Sequence, residues 1–445
     1  MKRIFLVTLL LLISTVFLTA CFRTSADELF SLPRVSEEYL RLQAHINMIE
    51  SAGAVLSPPN RGPNRQAVQL HDLNGDGINE VIAFFSDPTD STLKIYIFKL
   101  VGDEYVVADI IEGVGTEFES IRYIDLDGDG SLELVVGWQM GVALRYMSIF
   151  AITGFQHQQL VSGEEFSEIT IYDMTQDGTD DVVLFMLSPQ DNAGTARIFS
   201  MMPDGEIVTQ ESRLSVGVDN ISRISTSSLI DNIPAVFVES DGRFEHGSMV
   251  TDIFAMNDGN FTNVSLNTES QISDHTVRHR MNSSEVNRDG ILKTPVLRRL
   301  IAQSETEYYA IDWYSFASDG SYNLMITTYH NNFDEWFFIL PFDWREKVSV
   351  RRDDSIPGER TIIFSYFFEV EDEQHLDFLR IFKLSGSGAL ERAERDNRRL
   401  LLVYGSNAYA FEFLAPPDSF GITFNEDMIR ENFRLIYSDL VTVRG

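Results

Sequence analysis

Three nine-residue stretches constrain this chain more than any other feature: Asp-Leu-Asn-Gly-Asp-Gly-Ile-Asn-Glu at 72–80, Asp-Leu-Asp-Gly-Asp-Gly-Ser-Leu-Glu at 125–133 and Asp-Met-Thr-Gln-Asp-Gly-Thr-Asp-Asp at 173–181. In each, oxygen-bearing side chains stand at the first, third and fifth positions, a glycine at the sixth and a carboxylate at the ninth. A hard cation such as Ca²⁺ wants about six to eight oxygens, and a tight loop supplies them from alternate residues. The glycine lets the backbone turn sharply, so that the carbonyl of the seventh residue also points inward. The first stretch runs straight into Val-Ile-Ala-Phe-Phe at 81–85. A loop that returns together with its strand is a repeat, and repeats decide architecture.

The first residues of the three copies are 53 and 48 positions apart. Between them the sequence reads as strands and turns: 67–70, 80–85, 93–100, 105–111 and 121–124, then 134–138, 145–152 and a strand near 159. About fifty residues carrying four strands is one blade of a β-propeller. Later copies are degenerate. At 224–239 the strand rhythm persists, but the corner at 226–234 keeps only Asp231, out of register. At 285–293 a fifth copy places Lys293 where the first has Glu80. An ammonium beside Glu285 and Asp289 would neutralise them internally and leave this corner its shape without metal. Strands at 308–316, 323–329 and 335–340 complete a fifth blade, and Pro341 marks the exit.

The expected fold is therefore mainly β: a propeller of about five four-stranded blades with acidic cation loops. A short helix precedes it and a small α+β domain follows. The helix begins after Ser36, with Glu37 and Glu38 in its first turn and Leu40, Leu42, Ile46, Met48 and Ile49 as its apolar side. The last domain has strands near 348–350, 361–368, 378–383, 400–404 and 408–413, and a helix at 426–437 capped by Asn425, with Phe433 on its apolar side. The corresponding divisions are 1–20 (signal), 21–65 (tether and helix), 66–341 (propeller) and 342–445 (C-terminal domain).

Loops of this kind occur in EF-hands, which place helices on both sides and a bidentate Glu at the twelfth position. Here the twelfth positions are Ala83, Val136 and Leu184, all apolar, and the flanks are strands. The segment 67–340 instead resembles the FG-GAP or VCBS-type repeats of integrin-like β-propellers. That resemblance implies Ca²⁺ held by Asp72, Asn74, Asp76, the carbonyl of Ile78 and Glu80. It implies a second site at Asp125, Asp127, Asp129, the carbonyl of Ser131 and Glu133, and a third at Asp173, Thr175, Asp177, the carbonyl of Thr179 and Asp181. Thr175 is a poorer ligand than Asn74 or Asp127, so the third site is expected to be the weakest. Calcium in such loops steadies the blade rather than taking part in catalysis.

The formal charge of −32 argues against nucleic acid and anionic lipid surfaces as ligands, because either would be repelled. Met1-Lys2-Arg3 followed by an apolar run to Phe17 is a secretory signal. Leu18-Thr19-Ala20-Cys21 matches the lipobox of bacterial lipoproteins, which implies cleavage before Cys21 and a lipid on its thiol. Cys21 is the single cysteine, so disulfides and cysteine catalysis are then both excluded. The whole order of segments is similar to VCBS-repeat lipoproteins of Gram-positive bacteria. The expected location is the outer face of a bacterial membrane, and the expected partner a protein or a cell-wall or extracellular polymer.

Motifs of the common catalytic classes are missing from the sequence. No nucleophile elbow, P-loop or dinucleotide fingerprint occurs, and the only histidines at ligand spacing, His275 and His279, lack a zinc-protease motif. A non-enzymatic binding role is expected. The alternative is a polysaccharide-active, lyase-like enzyme built on a calcium-bearing propeller. The aromatic-rich stretch at 313–344 (Trp313, Tyr314, Phe316, Trp336, Phe337, Phe338, Trp344) would stack on sugars if exposed, but its alternation favours burial.

Overall fold

The computed structural model describes residues 37–436, apart from 89–91, 189–192, 246, 303–304, 369–373 and 418. The signal, Cys21 with its expected lipid, the tether up to 36 and the last nine residues lie outside the described residues. Among the described residues the chain forms two compact units, one within Met1–Ile121 and Ile152–His157, the other within Arg122–Ala151 and Gln158–Gly445.

Almost every element is an antiparallel strand, and the strands follow one another as up-and-down meanders. In the first unit, Val68–His71 and Val55–Leu56 both pair with Glu80–Asp87, which continues through Thr92–Val101 to Glu104–Val114. The second sheet joins Glu117–Ile124, Glu133–Met140, Leu144–Thr153 and Gln156–Glu165 in that order. The third runs Glu168–Tyr172, Asp181–Met186, Ala193–Met201, Ile207–Val216, and the fourth Val218–Ser228, Pro234–Phe244, Gly247–Asn257, Asn260–Asn263. The fifth has Thr294–Arg299, Tyr309–Phe316, Tyr322–Asn331 and Trp336–Leu340. The second, third and fourth are four-stranded meanders, the topology of a propeller blade, and the first and fifth each contain such a meander with one further strand paired to it.

The strand after each acidic corner is an unbroken apolar run because both of its faces are covered. Val81, Ile82, Ala83, Phe84 and Phe85 are all fully buried. The next strand out, Thr92–Val101, alternates buried and half-buried residues, as a strand near the rim of a stack does. Within the second unit consecutive sheets share cores. Val135 and Ile149 pack with Val182 and Leu184, Val183 and Phe185 with Val236 and Phe254, and Phe237 and Ile253 with Phe316.

In the first unit the helix Glu37–Ser51 lays Leu42 and Ile46 on Val81, Ala83, Phe85 and Phe98. Leu40 and Met48, expected on the same side, are exposed. Residues 42, 46 and 49 share a face at helical spacing, whereas 40, two residues before 42, lies on the opposite side and 48 is also turned away from the sheet.

The C-terminal region keeps its expected strands but not a boundary in packing at 341. Val348–Asp353, Glu359–Phe368, Gln374–Ser385, Asn407–Phe413 and Arg399–Tyr404 make a sixth sheet, with the short helix Ala389–Ala393 set on it. One core joins this sheet to the fifth: Tyr329, Trp336, Phe338 and Trp344 pack with Phe364, Phe378 and Phe411. The helix capped by Asn425, whose side chain accepts from the Met428 N–H, stops at Asn432. Phe433–Leu435 then leaves the helix and adds a fifth strand to the fifth sheet, pairing with 336–338. The expected helix to 437 is thus cut short by a strand pairing. Trp313, Phe316, Trp336, Phe337, Phe338 and Trp344 are buried, so they build cores rather than a sugar platform.

Candidate metal centres

All three acidic stretches sit where expected, on the turn between the first two strands of a sheet: 72–80 before Glu80–Asp87, 125–133 before Glu133–Met140 and 173–181 before Asp181–Met186. Their internal hydrogen bonds repeat almost atom for atom. The first-position carboxylate accepts from the sixth-position glycine: Gly77 N–H to Asp72 Oδ2 at 2.8 Å, Gly130 to Asp125 at 3.0 Å and Gly178 to Asp173 at 3.1 Å. The fifth-position carboxylate accepts from the seventh amide: Ile78 to Asp76 at 2.8 Å, Ser131 to Asp129 at 2.7 Å and Thr179 to Asp177 at 2.9 Å. All three sixth-position glycines are left-handed, with φ of 85°, 89° and 93°, a conformation that side chains resist.

The ninth-position carboxylates are buried, and one oxygen of each is spent on the backbone. Glu80 Oε2 accepts from Leu73 N–H at 2.9 Å, Glu133 Oε2 from Leu126 at 2.9 Å and Asp181 Oδ2 from Met174 at 2.7 Å. In the second copy this leaves the other Glu133 oxygen for the loop centre, whereas Asp181 is also hydrogen-bonded by the Ser200 side chain. The clearest convergence is in the second copy, where one oxygen each of Asp125, Asp127 and Glu133 lies within 4.8 Å of the others. Burial, together with the neighbouring charges of Asp127, Asp129 and Asp125, pushes the Glu133 carboxyl up to about 7. Glu80 and Asp181 are also raised, chiefly by burial.

The fit to a cation therefore differs among the copies. In the first, Asp72, Asn74, Asp76, Glu80 and the Ile78 carbonyl offer only oxygens to the loop centre, but among the described residues three carboxylates come within 4.8 Å of one another in the second copy alone, and Asn74 Nδ2 donates to Asp76 Oδ2 at 3.2 Å. The second substitutes Asp127 for the amide and so carries one more charge. In the third, Thr175 Oγ1 turns to Asp181 Oδ2 at 3.4 Å and Thr179 Oγ1 to Asp177 Oδ1 at 2.6 Å, so side-chain hydroxyls already engage two of the carboxylates.

One position of the design is not an oxygen donor. The second residue of each copy is an apolar plug: Leu73, Leu126 and Met174 are 0–1 % exposed, and Val286 in the fifth copy is also buried. Its amide is the donor that holds the ninth-position carboxylate in the first three copies. The signal was present, since the position is Leu, Leu, Met and Val.

The degenerate corners are held by other means. In the fourth, Asp231 accepts from both the N–H (2.9 Å) and the hydroxyl (2.7 Å) of Ser318, and the Asn232 carbonyl accepts from Gln176 of the third corner at 3.0 Å. In the fifth, Glu285 takes the Gly290 N–H at 2.9 Å and Asp289 the Ile291 N–H at 3.0 Å, the same frame as in the first three. Lys293 is fully buried, and its Nζ donates to Asp289 Oδ1 at 2.6 Å and to the Ile291 carbonyl at 3.0 Å. The expected partner Asp289 is thus engaged, while Glu285 serves the backbone instead. The strand that should precede this corner is reduced to a single bridge between Ser284 and Lys293.

Residues 72–136, which span the first two acidic corners, match the family model described as FG-GAP-like repeat. Among solved structures, the propeller of Dos1 is similar over 63 % of this chain and 66 % of that one, at 9 % identity and a TM-score of 0.28. Comparison with curated proteins returns no match. The chain is mainly β, built of four-stranded antiparallel meanders, and its segment 72–136 is similar to an FG-GAP-like repeat.

Proposed function

We propose that this protein is a calcium-stabilised β-propeller with a binding role, tethered by a lipid on Cys21 to the outer face of a bacterial membrane. Its partner is a protein or a cell-wall or extracellular polymer. The observation that supports the calcium reading is the second corner, where one oxygen each of Asp125, Asp127 and the buried Glu133 converge. The ion would be held there by Asp125, Asp127, Asp129, Glu133 and the Ser131 carbonyl, and in the first and third corners by the residues at the same positions. Bound calcium supplies positive charge to buried carboxylates and locks the strand turn, so its role is structural. The anchor rests on the sequence of the first 21 residues, and the charge of −32 disfavours nucleic acid and acidic lipid as partners.

Calorimetric titration of Ca²⁺ into chelator-treated protein tests the metal. Extracellular sites of this chemistry bind with dissociation constants of roughly 10⁻⁴–10⁻³ M, and three such events are expected. Absence of any binding heat or thermal stabilisation would remove calcium from the account. For the partner, capture from intact cells compared with binding to purified wall polymers separates protein from polysaccharide. Turnover of any such polymer by the purified protein would replace the binding role with catalysis.

A further inference from the structure

The fifth corner matches the first three in backbone and differs in the sign of one charge. Its first-position carboxylate holds the sixth-position glycine, and its fifth-position carboxylate holds the seventh amide, as in the metal-type corners. At the ninth position, however, stands a buried ammonium. The two groups that receive the Lys293 Nζ are Asp289 Oδ1 and the Ile291 carbonyl. These are the fifth- and seventh-position oxygens, the counterparts of Asp76 and the Ile78 carbonyl. A buried lysine persists only where fixed oxygens replace its lost water. Here those oxygens are the ones assigned to an ion elsewhere in the chain. Asp289, unlike the buried ninth-position acids, is held below the usual carboxylate range despite partial burial, by the Lys293 ammonium and the Ile291 and Asn287 donors.

We infer that Lys293 is a covalently attached substitute for the divalent ion, which confines the chain's calcium requirement to its first three corners. The fifth sheet, and the sixth that shares its aromatic core, then form a portion whose geometry is independent of calcium. This rests on reading the first three corners as calcium sites. Withdrawal of calcium would loosen the strand turns at 72–80, 125–133 and 173–181 and leave 285–293 as it was. The protein would be conditionally ordered at one end of its sequence and permanently ordered at the other.

Amide hydrogen exchange of the full chain, in saturating calcium and in excess chelator, tests this. Expected is a loss of protection of about tenfold or more at 73–78, 126–131 and 174–179, the factor set by calcium at ten times its dissociation constant. Amides at 286–291 should exchange at the same rate in both conditions. Equal chelator sensitivity at 286–291 overturns the inference while leaving the calcium sites standing. No calcium binding anywhere overturns the calcium reading and this inference with it, and the calorimetry tells the two failures apart. Lys293→Glu restores a ninth-position carboxylate and should add one calcium-binding event and make 286–291 chelator-sensitive. A folded Lys293→Glu variant that gains no such event counts against the substitution, and if that variant does not fold, the wild-type exchange comparison decides alone.

Discussion

His330 gives the fold a specific weakness to acid. Its ring lies between Trp313 (centroids 6.2 Å apart) and Phe337 (5.0 Å, stacked), and neither ring nitrogen has a hydrogen-bond partner among the described residues. Burial without a partner depresses its pKa from 6.5 to about 4. The folded value lies below the unfolded one, so the stability tied to neutral His330 is complete above pH 6.5 and drains away as the pH falls towards 4. At about 1.4 kcal/mol per pH unit the whole effect is capped at about 3 kcal/mol, and by pH 5 about 2 kcal/mol of it is lost. That is a large part of a typical margin of about 5–15 kcal/mol. His330→Leu keeps an apolar group of similar size between the two rings and removes both unpaired nitrogens. Urea unfolding at pH 7.5 and pH 5.0 should show the wild type losing about 2 kcal/mol more than the variant over that interval, with the variant no less stable at pH 7.5. Parallel losses in the two proteins would mean that His330 stays neutral, or finds a partner, at pH 5, and the reasoning from burial would fail.

The three metal-type corners should differ in affinity in the order second, first, third, following their carboxylate number and the engaged hydroxyls of the third. Asp129→Ala should weaken the tightest calorimetric event by about tenfold or more, about 1.4 kcal/mol, and equal affinities at the three sites would contradict the order. Arg278 is buried against Glu239 at 2.9 Å and also donates to the Thr276 and Met281 carbonyls, so Arg278→Met should cost about 3–5 kcal/mol in denaturant unfolding. Adding Glu239→Gln should recover part of that loss, and strictly additive effects would argue that the two side chains are not coupled. At Gly320 the backbone has φ of 83° and an added Cβ would sit 2.9 Å from the Val264 carbonyl oxygen, whereas Gly53 has φ of 109° and open space. Gly320→Ala should therefore lower the melting temperature clearly more than Gly53→Ala, and equal drops would show that the contact relaxes freely.

The sequence was most readable where one residue type had one reason to be present. Strands such as Glu80–Asp87 are apolar runs bounded by turn residues because both faces are buried, and the acidic corners carry their spacing openly. Lys293 was legible for the same reason, as a change of sign in an otherwise fixed pattern. Where two structures satisfy the same local preferences, the reading failed. Phe433 suits the apolar side of a helix, yet its pairing with Phe338 turns 433–435 into a strand. Leu40 and Met48 are apolar residues in a helix, but their spacing from Leu42 turns them away from the face that Leu42 and Ile46 lay on the sheet, so apolar character alone misassigned them. The core joining fifth and sixth sheets depends on which face Trp344 presents to Phe364 and Phe378, a tertiary fact that composition does not encode. The buried Asp252, held by Ser215, Asn263 and Ser273 from three separate stretches, was equally invisible, since its donors are scattered in sequence.

The fourth corner has shed nearly all its acids and survives on its neighbours. Gln176 reaches it from the third corner, Ser318 grips Asp231, and Ser227 at its edge accepts from the Leu292 amide (3.0 Å) and donates to the Gly290 carbonyl (3.2 Å) of the fifth. A turn braced from both sides depends less on its own chemistry. Substitutions that would ruin an isolated hairpin can accumulate there without penalty, so long as the flanking turns remain intact. The same bracing carries a liability: damage to the third or fifth turn would reach the fourth, whose own support is two backbone hydrogen bonds, from Leu229 N–H to the Ile233 carbonyl and from Asn232 N–H to the Leu229 carbonyl.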